Sequence, residues 1–131
     1  MSGDTVTGEA LQFTNDNKKC YAYSGMLAGS TSSITTYLNF NTNSEYIQAT
    51  VQQGSTNETT RKTVYIYFND IIVVRQDVDN QFPFPNTYKI IIPPFTNVKI
   101  SLQLGGDDGM SSWFSLIGKV GMPQRVGNLN E

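Results

Sequence analysis

The residues of this chain that could do chemistry are few, and their types restrict what that chemistry could be. Histidine, the commonest general base and metal ligand, is absent from all 131 residues. A single cysteine, Cys20, follows Lys18 and Lys19, which could lower the pKa of its thiol. Its apolar surroundings, Tyr21-Ala22-Tyr23, favour a structural position in a strand. The sequence therefore offers neither a Ser-His-Asp nor a Cys-His site.

Two pairs of carboxylates are the other candidates for chemistry. Asp77 and Asp79 lie two residues apart, and Asp107 and Asp108 are adjacent within a Gly-rich segment. Acid and base groups of a glycosidase must lie on opposite sides of a bond in environments that separate their pKa values, which adjacent loop residues rarely achieve. The spaced oxygen ligands of a calcium loop are also missing. We therefore expect no catalytic, cofactor or metal site, and solvated turns at both pairs.

The composition indicates which elements position these residues. Charged residues make up only 15% of the chain, and 14 threonines and 12 asparagines supply much of its polar surface. Seven tyrosines and seven phenylalanines, with few strong helix formers, favour strands. The net charge of −2 and the lack of long basic runs disfavour nucleic acid. No stretch of 18 apolar residues and no N-terminal secretory signal occurs, so we expect neither a membrane span nor export by a signal.

Alternation with period two places most of the strands. Val98, Ile100, Leu102 and Leu104 alternate with polar residues, as do Ile34, Thr36, Leu38 and Phe40, and Ile47, Ala49 and Val51. Residues 63–74 predict a hairpin that turns at Asn69-Asp70. Its strands are apolar on both faces, which is typical of central strands or of strands covered by a neighbouring subunit.

Eight or nine short strands at near-regular spacing predict an all-β, antiparallel β-sandwich, with a jelly roll as the favoured topology. We expect one sandwich domain over residues 10–122, a flexible N-terminal arm over residues 1–9 and a C-terminal tail over residues 123–131.

Aromatic side chains are the candidate contact residues. Tyr65 and Tyr67 share one strand face opposite Val64, Ile66 and Phe68, so one set must point away from the core. Covered, the two tyrosines would form a subunit interface, which is the favoured interpretation; exposed, they would form a platform for stacking sugar rings. The favoured position of Trp113 is in the core beside Phe114, with sugar stacking as the alternative. Further candidate interface residues lie next to prolines: Phe82, Phe84 and Phe95.

Three segments carry a resemblance to a known group of proteins: Asn69-Asp70 within its double apolar run, residues 91–100 (IIPPFTNVKI) and residues 116–120 (LIGKV). With them, the chain resembles the small β-sandwich virion proteins of tailed bacteriophages, most of all the capsid decoration, or cement, proteins. The resemblance implies a homotrimer that binds the major capsid protein and stabilises the phage head. It also implies a virion protein that assembles in the host cytoplasm. A carbohydrate- or receptor-binding module of a phage tail or spike remains the alternative function.

Overall fold

A computed structural model describes residues 12–13, 19–55, 61–78, 86–105 and 111–121. The arm and the tail predicted at residues 1–9 and 123–131 lie outside these residues. The described part is entirely β-structure with its connections, and ten strands are assigned in it: Gln12–Phe13 (β1), Lys19–Tyr23 (β2), Leu27–Ala28 (β3), Thr35–Asn41 (β4), Ile47–Ser55 (β5), Lys62–Phe68 (β6), Ile71–Val78 (β7), Asn86–Ile92 (β8), Asn97–Leu104 (β9) and Ser111–Val120 (β10).

The strands form two antiparallel sheets that pack face to face. The six-stranded sheet has the order β1-β2-β10-β5-β8, and β3 pairs with β10 beyond the end of β2. The four-stranded sheet has the order β4-β9-β6-β7. From β4 onward the chain passes repeatedly between the sheets, which is the jelly-roll arrangement. The predicted all-β sandwich is confirmed, with eight strands of five to ten residues and two of only two residues among the described positions.

The core lies between the sheets and is built by alternating side chains from both. Val98, Ile100, Leu102 and Leu104 all point inward from β9, as the alternation predicts. The ring of Tyr37 from the four-stranded sheet packs edge-on against that of Phe114 from the six-stranded sheet, with 5.1 Å between centroids. Both side chains are completely buried, so the two sheets are joined at this point by aromatic packing.

A β-bulge in β4 makes one predicted strand face wrong. Thr36 pairs with Ser101 and Leu38 pairs with Ile100, which leaves Tyr37 as an extra residue. Because an extra residue exchanges the two faces of a strand, Thr36 turns outward while Tyr37 points inward. Ile34, which alternation placed on the core face, is exposed.

The hairpin at Asn69-Asp70 is confirmed. The register pairs Phe68 with Ile71, so the turn consists of two residues. Their φ angles are 53° and 66°, the left-handed values that a two-residue type I′ turn requires and that Asn and Asp tolerate. However, of the two strands of the hairpin only β6 lies in the interior of the sheet, between β9 and β7. The strand β7 lies at the sheet's edge, with no neighbour on its outer side among the described strands.

Candidate contact surfaces

The described residues do not bring acidic or thiol groups together into a reactive site. They contain no group of three or more His, Cys, Asp or Glu side chains that could hold a metal ion. The thiol of Cys20 is buried, and loss of hydration raises its pKa to about 11, which is opposite to the lowered pKa of a reactive thiol. The turn expected at Asp77 is wrong, because Asp77 lies within the strand β7, opposite Thr63 of β6. Its carboxylate is exposed, as expected, and accepts a hydrogen bond from the hydroxyl of Thr63 at 2.8 Å. Asp79, Asp107 and Asp108 lie outside the described residues.

Tyr65 and Tyr67 both project from the outer face of the four-stranded sheet, as their spacing predicts. Their rings are stacked, with 5.9 Å between centroids and 20° between planes. The guanidinium of Arg75, on the adjacent strand β7, lies 6.0 Å from the centroid of the Tyr65 ring. Both tyrosines are only half-buried. They therefore form an aromatic strip along the outer face, with a cation at one end.

A shallow depression of about 220 Å³ adjoins this strip. The ammonium of Lys99 and a carboxylate oxygen of Asp70 are paired at 3.0 Å on its wall. Partial desolvation and the neighbouring Tyr65 raise the pKa of Tyr67, while Lys99 acts to lower it. The depression combines the phenol ring of a tyrosine, a charged pair and two aliphatic hydroxyls; its lining residues are Ile34, Thr36, Tyr67, Asp70, Lys99 and Ser101.

The edge strand β7 exposes a continuous apolar run. Ile71, Ile72 and Val73 have relative accessibilities of 68%, 48% and 46%. Their consecutive exposure results from their position after the turn and from a second bulge, since Ile66 pairs with Val74 and Tyr67 with Ile72, leaving Val73 extra. Isolated exposed apolar residues are ordinary, but three in a row on a sheet edge are a typical contact surface.

Phe95 is the most exposed large apolar side chain among the described residues, at 76% accessibility. Its φ of 54° is unfavourable for a bulky residue. The connection that holds it is braced: Thr42 donates a hydrogen bond from its hydroxyl to the carbonyl of Pro93 and accepts one from the Thr96 N–H. The Phe95 N–H itself donates to the carbonyl of Asn43 at 2.8 Å. An exposed aromatic residue with a strained backbone, in a connection held by hydrogen bonds, is typical of a contact residue.

Trp113 lies on the outer face of the six-stranded sheet, so its predicted place in the core is wrong, whereas Phe114 is in the core as predicted. The indole is half-buried over Gly54 of β5, where an added Cβ would collide with the indole ring. The Tyr23 ring lies beside it at 6.3 Å and 53°. Alternation alone favours neither Trp113 nor Phe114 for the core. The glycine at position 54, opposite Trp113, was the signal that the sequence analysis missed.

The exposure of Ile71, Ile72 and Val73 was not predicted, because their apolar character indicates burial. Two of the candidate interface residues, Phe82 and Phe84, lie outside the described residues. Tyr65, Tyr67 and Phe95 are placed at the surface but do not form one cluster: the first two lie on a sheet face, and Phe95 lies in the connection between β8 and β9.

The described residues contain no helix long and apolar enough to cross a membrane.

No family model matches the sequence, and no curated protein matches it. Several solved structures are distantly similar to this chain. The carbohydrate-binding module CBM36, in complex with calcium and xylotriose, is 16% identical, with 90% of this chain and 93% of that chain covered and a TM-score of 0.39. A family two carbohydrate esterase from Cellvibrio japonicus is 15% identical, with 94% and 33% covered and a TM-score of 0.37.

A structure of infectious bursal disease virus, Gx strain, is 16% identical to this chain, with 98% of this chain and 33% of the viral chain covered and a TM-score of 0.43. The chain thus spans about a third of the length of the esterase and of the viral protein. With identities of 15–16% and TM-scores of 0.37–0.43, these likenesses are distant, and we take neither fold nor function from them.

Proposed function

We propose that this protein is a non-enzymatic virion component, a capsid decoration or cement protein that self-associates and binds the major capsid protein. The observation on which the proposal rests is the exposed apolar run Ile71-Ile72-Val73 on the edge strand β7. Such a surface is costly to leave in water and is stabilised when another protein covers it. In this proposal the protein is assembled in the host cytoplasm and functions on the virion.

Phe95 supports the same function. It lies at the same end of the four-stranded sheet as the Asn69-Asp70 turn, because the Asn69 N–H donates to the carbonyl of Asn97 at 2.8 Å. The backbone of Phe95 is held by hydrogen bonds before binding, so the connection loses little conformational entropy on association, and an exposed aromatic ring at such a position is an effective anchor. The proposed contact surface thus consists of Phe95 and the apolar run of β7.

Binding to assembled capsids tests the proposal. Capsids of the virus that encodes this chain, prepared without the protein, are mixed with the purified chain and sedimented. We expect the chain to sediment with the capsids and to raise their melting temperature. Phe95→Asp should weaken binding at least tenfold. The matched control Lys119→Glu, on the outer face of the other sheet, should bind like the wild type. Absence of co-sedimentation would contradict the proposal.

A carbohydrate-binding function is a second candidate, favoured by the position of Trp113. Its indole covers Gly54 and forms an angled aromatic surface with Tyr23, and sugar rings stack on such surfaces. Glycan-array binding that is lost in both Trp113→Ala and Gly54→Val would support this function, because a valine side chain at position 54 displaces the indole. Glycan binding that survives both substitutions would exclude this surface, and Tyr67→Ala then tests the strip on the four-stranded sheet.

A further inference from the structure

The regular part of β7 is able to pair with a second copy of itself. Edge strands present unpaired N–H and C=O groups to solvent. In β7 the backbone groups of every second residue point away from β6, and no strand pairs with them on that side among the described residues. The bulge at Val73 interrupts the ladder near the turn, but the register from Val74 to Val78 is uninterrupted. Five residues of regular strand therefore remain for pairing.

The charges of this segment are self-complementary in one register. Arg75 and Asp77 both point outward from the sheet, where the guanidinium of Arg75 lies 3.7 Å from the carboxylate of Asp77 in the same chain, and their side chains remain 56% and 69% accessible. In an antiparallel pair, residues that lie directly opposite each other point to the same face of the sheet. A two-fold axis perpendicular to the sheet therefore passes where one residue lies opposite the same residue of the second copy. If that residue is Gln76, Arg75 of each copy lies opposite Asp77 of the other. On the inner face Val74 then lies opposite Val78, which extends the apolar core across the junction.

The neighbouring registers are unfavourable. An axis beside Arg75 places two guanidinium groups opposite each other, with Asp77 against Val73 of the bulge. An axis beside Asp77 places two carboxylates opposite each other. Like charges in direct cross-strand positions are destabilising, whereas opposite charges stabilise the pair. Charge complementarity therefore selects Gln76 as the centre.

We propose that two copies of this chain join through antiparallel β7 strands centred on Gln76, which turns two four-stranded sheets into one sheet of eight strands. This inference rests on the proposed contact function and specifies one of its partners as a second copy. It assigns a two-fold contact, in place of the three-fold assembly that the resemblance implies. The exposed residues Ile71 and Phe95 lie away from the axis, beyond the bulge, and remain accessible to a capsid.

Charge exchange tests the register. Arg75→Asp and Asp77→Arg each place like charges at two positions of the junction, and each should weaken dimerisation on the order of tenfold. The double exchange Arg75→Asp/Asp77→Arg restores both opposite-charge pairs and should restore the wild-type dissociation constant, measured by sedimentation equilibrium. Lys89→Asp, on the outer face of the other sheet, is the charge-change control and should leave the mass unchanged.

Cysteine cross-linking tests the geometry independently of stability. In a Cys20→Ala background, Gln76→Cys places two thiols opposite each other, within reach of a disulfide. Arg75→Cys places its two thiols two residues out of register, with Cα atoms roughly 8 Å apart, which is too far. Mild oxidation should therefore give a covalent dimer only for Gln76→Cys.

The outcomes separate this inference from the proposed function. An oligomer that is insensitive to charge exchange and does not cross-link at position 76, yet binds capsids, overturns the β7 pairing and leaves the proposed function in place. A dimer that cross-links at position 76 but binds no capsid supports the pairing and contradicts the proposed function.

Discussion

Two buried tyrosines show how single polar atoms influence the stability of this fold, because the hydroxyl of one has a hydrogen-bond partner and that of the other has none among the described residues. The hydroxyl of Tyr37 donates to the carbonyl of Leu27 at 3.0 Å, whereas the buried hydroxyl of Tyr88 has no hydrogen-bond partner among the described residues. We expect Tyr37→Phe to lower the free energy of unfolding by about 1 kcal/mol. Tyr88→Phe removes an unsatisfied group and should leave that free energy unchanged or raise it by about 1 kcal/mol. Urea denaturation of the matched pair measures both, and an equal loss in the two variants would contradict the account.

Cys20 makes stability dependent on alkaline pH. Burial raises the pKa of its thiol from 9.0 to about 11 in the folded protein. Above pH 9 the unfolded chain therefore loses a proton that the folded chain keeps, and stability falls as pH rises toward 11. Between about pH 8 and about pH 10.5, the unfolding free energy of the wild type should therefore fall by about 2 kcal/mol more than that of Cys20→Ala. Tyr88, with its pKa raised to about 12, continues the same trend at higher pH in both proteins.

Phe95 illustrates a conflict between stability and contact. Its positive φ is unfavourable for phenylalanine, and its side chain is largely in solvent. Phe95→Gly should therefore raise the free energy of unfolding by up to about 1 kcal/mol, because glycine adopts this conformation without strain. The same substitution should weaken capsid binding. A clear loss of stability would show that the ring supports the fold instead of a partner.

Among the elements, the β6–β7 hairpin depends most on its turn residues. Asn69 combines a left-handed backbone with a side-chain oxygen that accepts a hydrogen bond from the Asn97 N–H at 2.8 Å. We expect Asn69→Ala to cost about 2 kcal/mol, since both contributions are lost. Asn69→Gly keeps the backbone freedom and should cost about half as much. Thermal unfolding measured by circular dichroism separates the two, and equal melting temperatures would contradict the assignment.

Element positions were largely predictable from the sequence, whereas the faces of some strands were not. Alternation in β9 and the turn pair Asn69-Asp70 are local signals, and the structure follows both. The bulges at Tyr37 and Val73 leave no local signal, because an extra residue is recognisable only from its partner strand. The exposure of Ile71 was likewise unpredictable, because edge position depends on the order of the strands in the sheet.

For the whole molecule, the sequence was informative about architecture and less so about contact surfaces. Strand number and spacing predict a jelly roll without knowledge of the sheet order. Contact surfaces arise where distant segments meet: Trp113 lies over Gly54 of β5, and Phe95 is held by Thr42 from another connection. Such positions depend on long-range packing. The aromatic residues could therefore be identified as candidate contact residues, but their positions in the structure could not be predicted.

The molecular mass of the unmodified chain in solution, followed by sedimentation equilibrium into the high micromolar range, tests the central claim most directly. A protein that acts through its exposed edge strand should associate reversibly, with the mass rising toward twice 14.5 kDa as concentration increases. The variant Arg75→Asp, which places like charges across the junction, should stay nearer to the monomer mass at each concentration. A wild-type mass that stays at 14.5 kDa across the whole range would contradict the account.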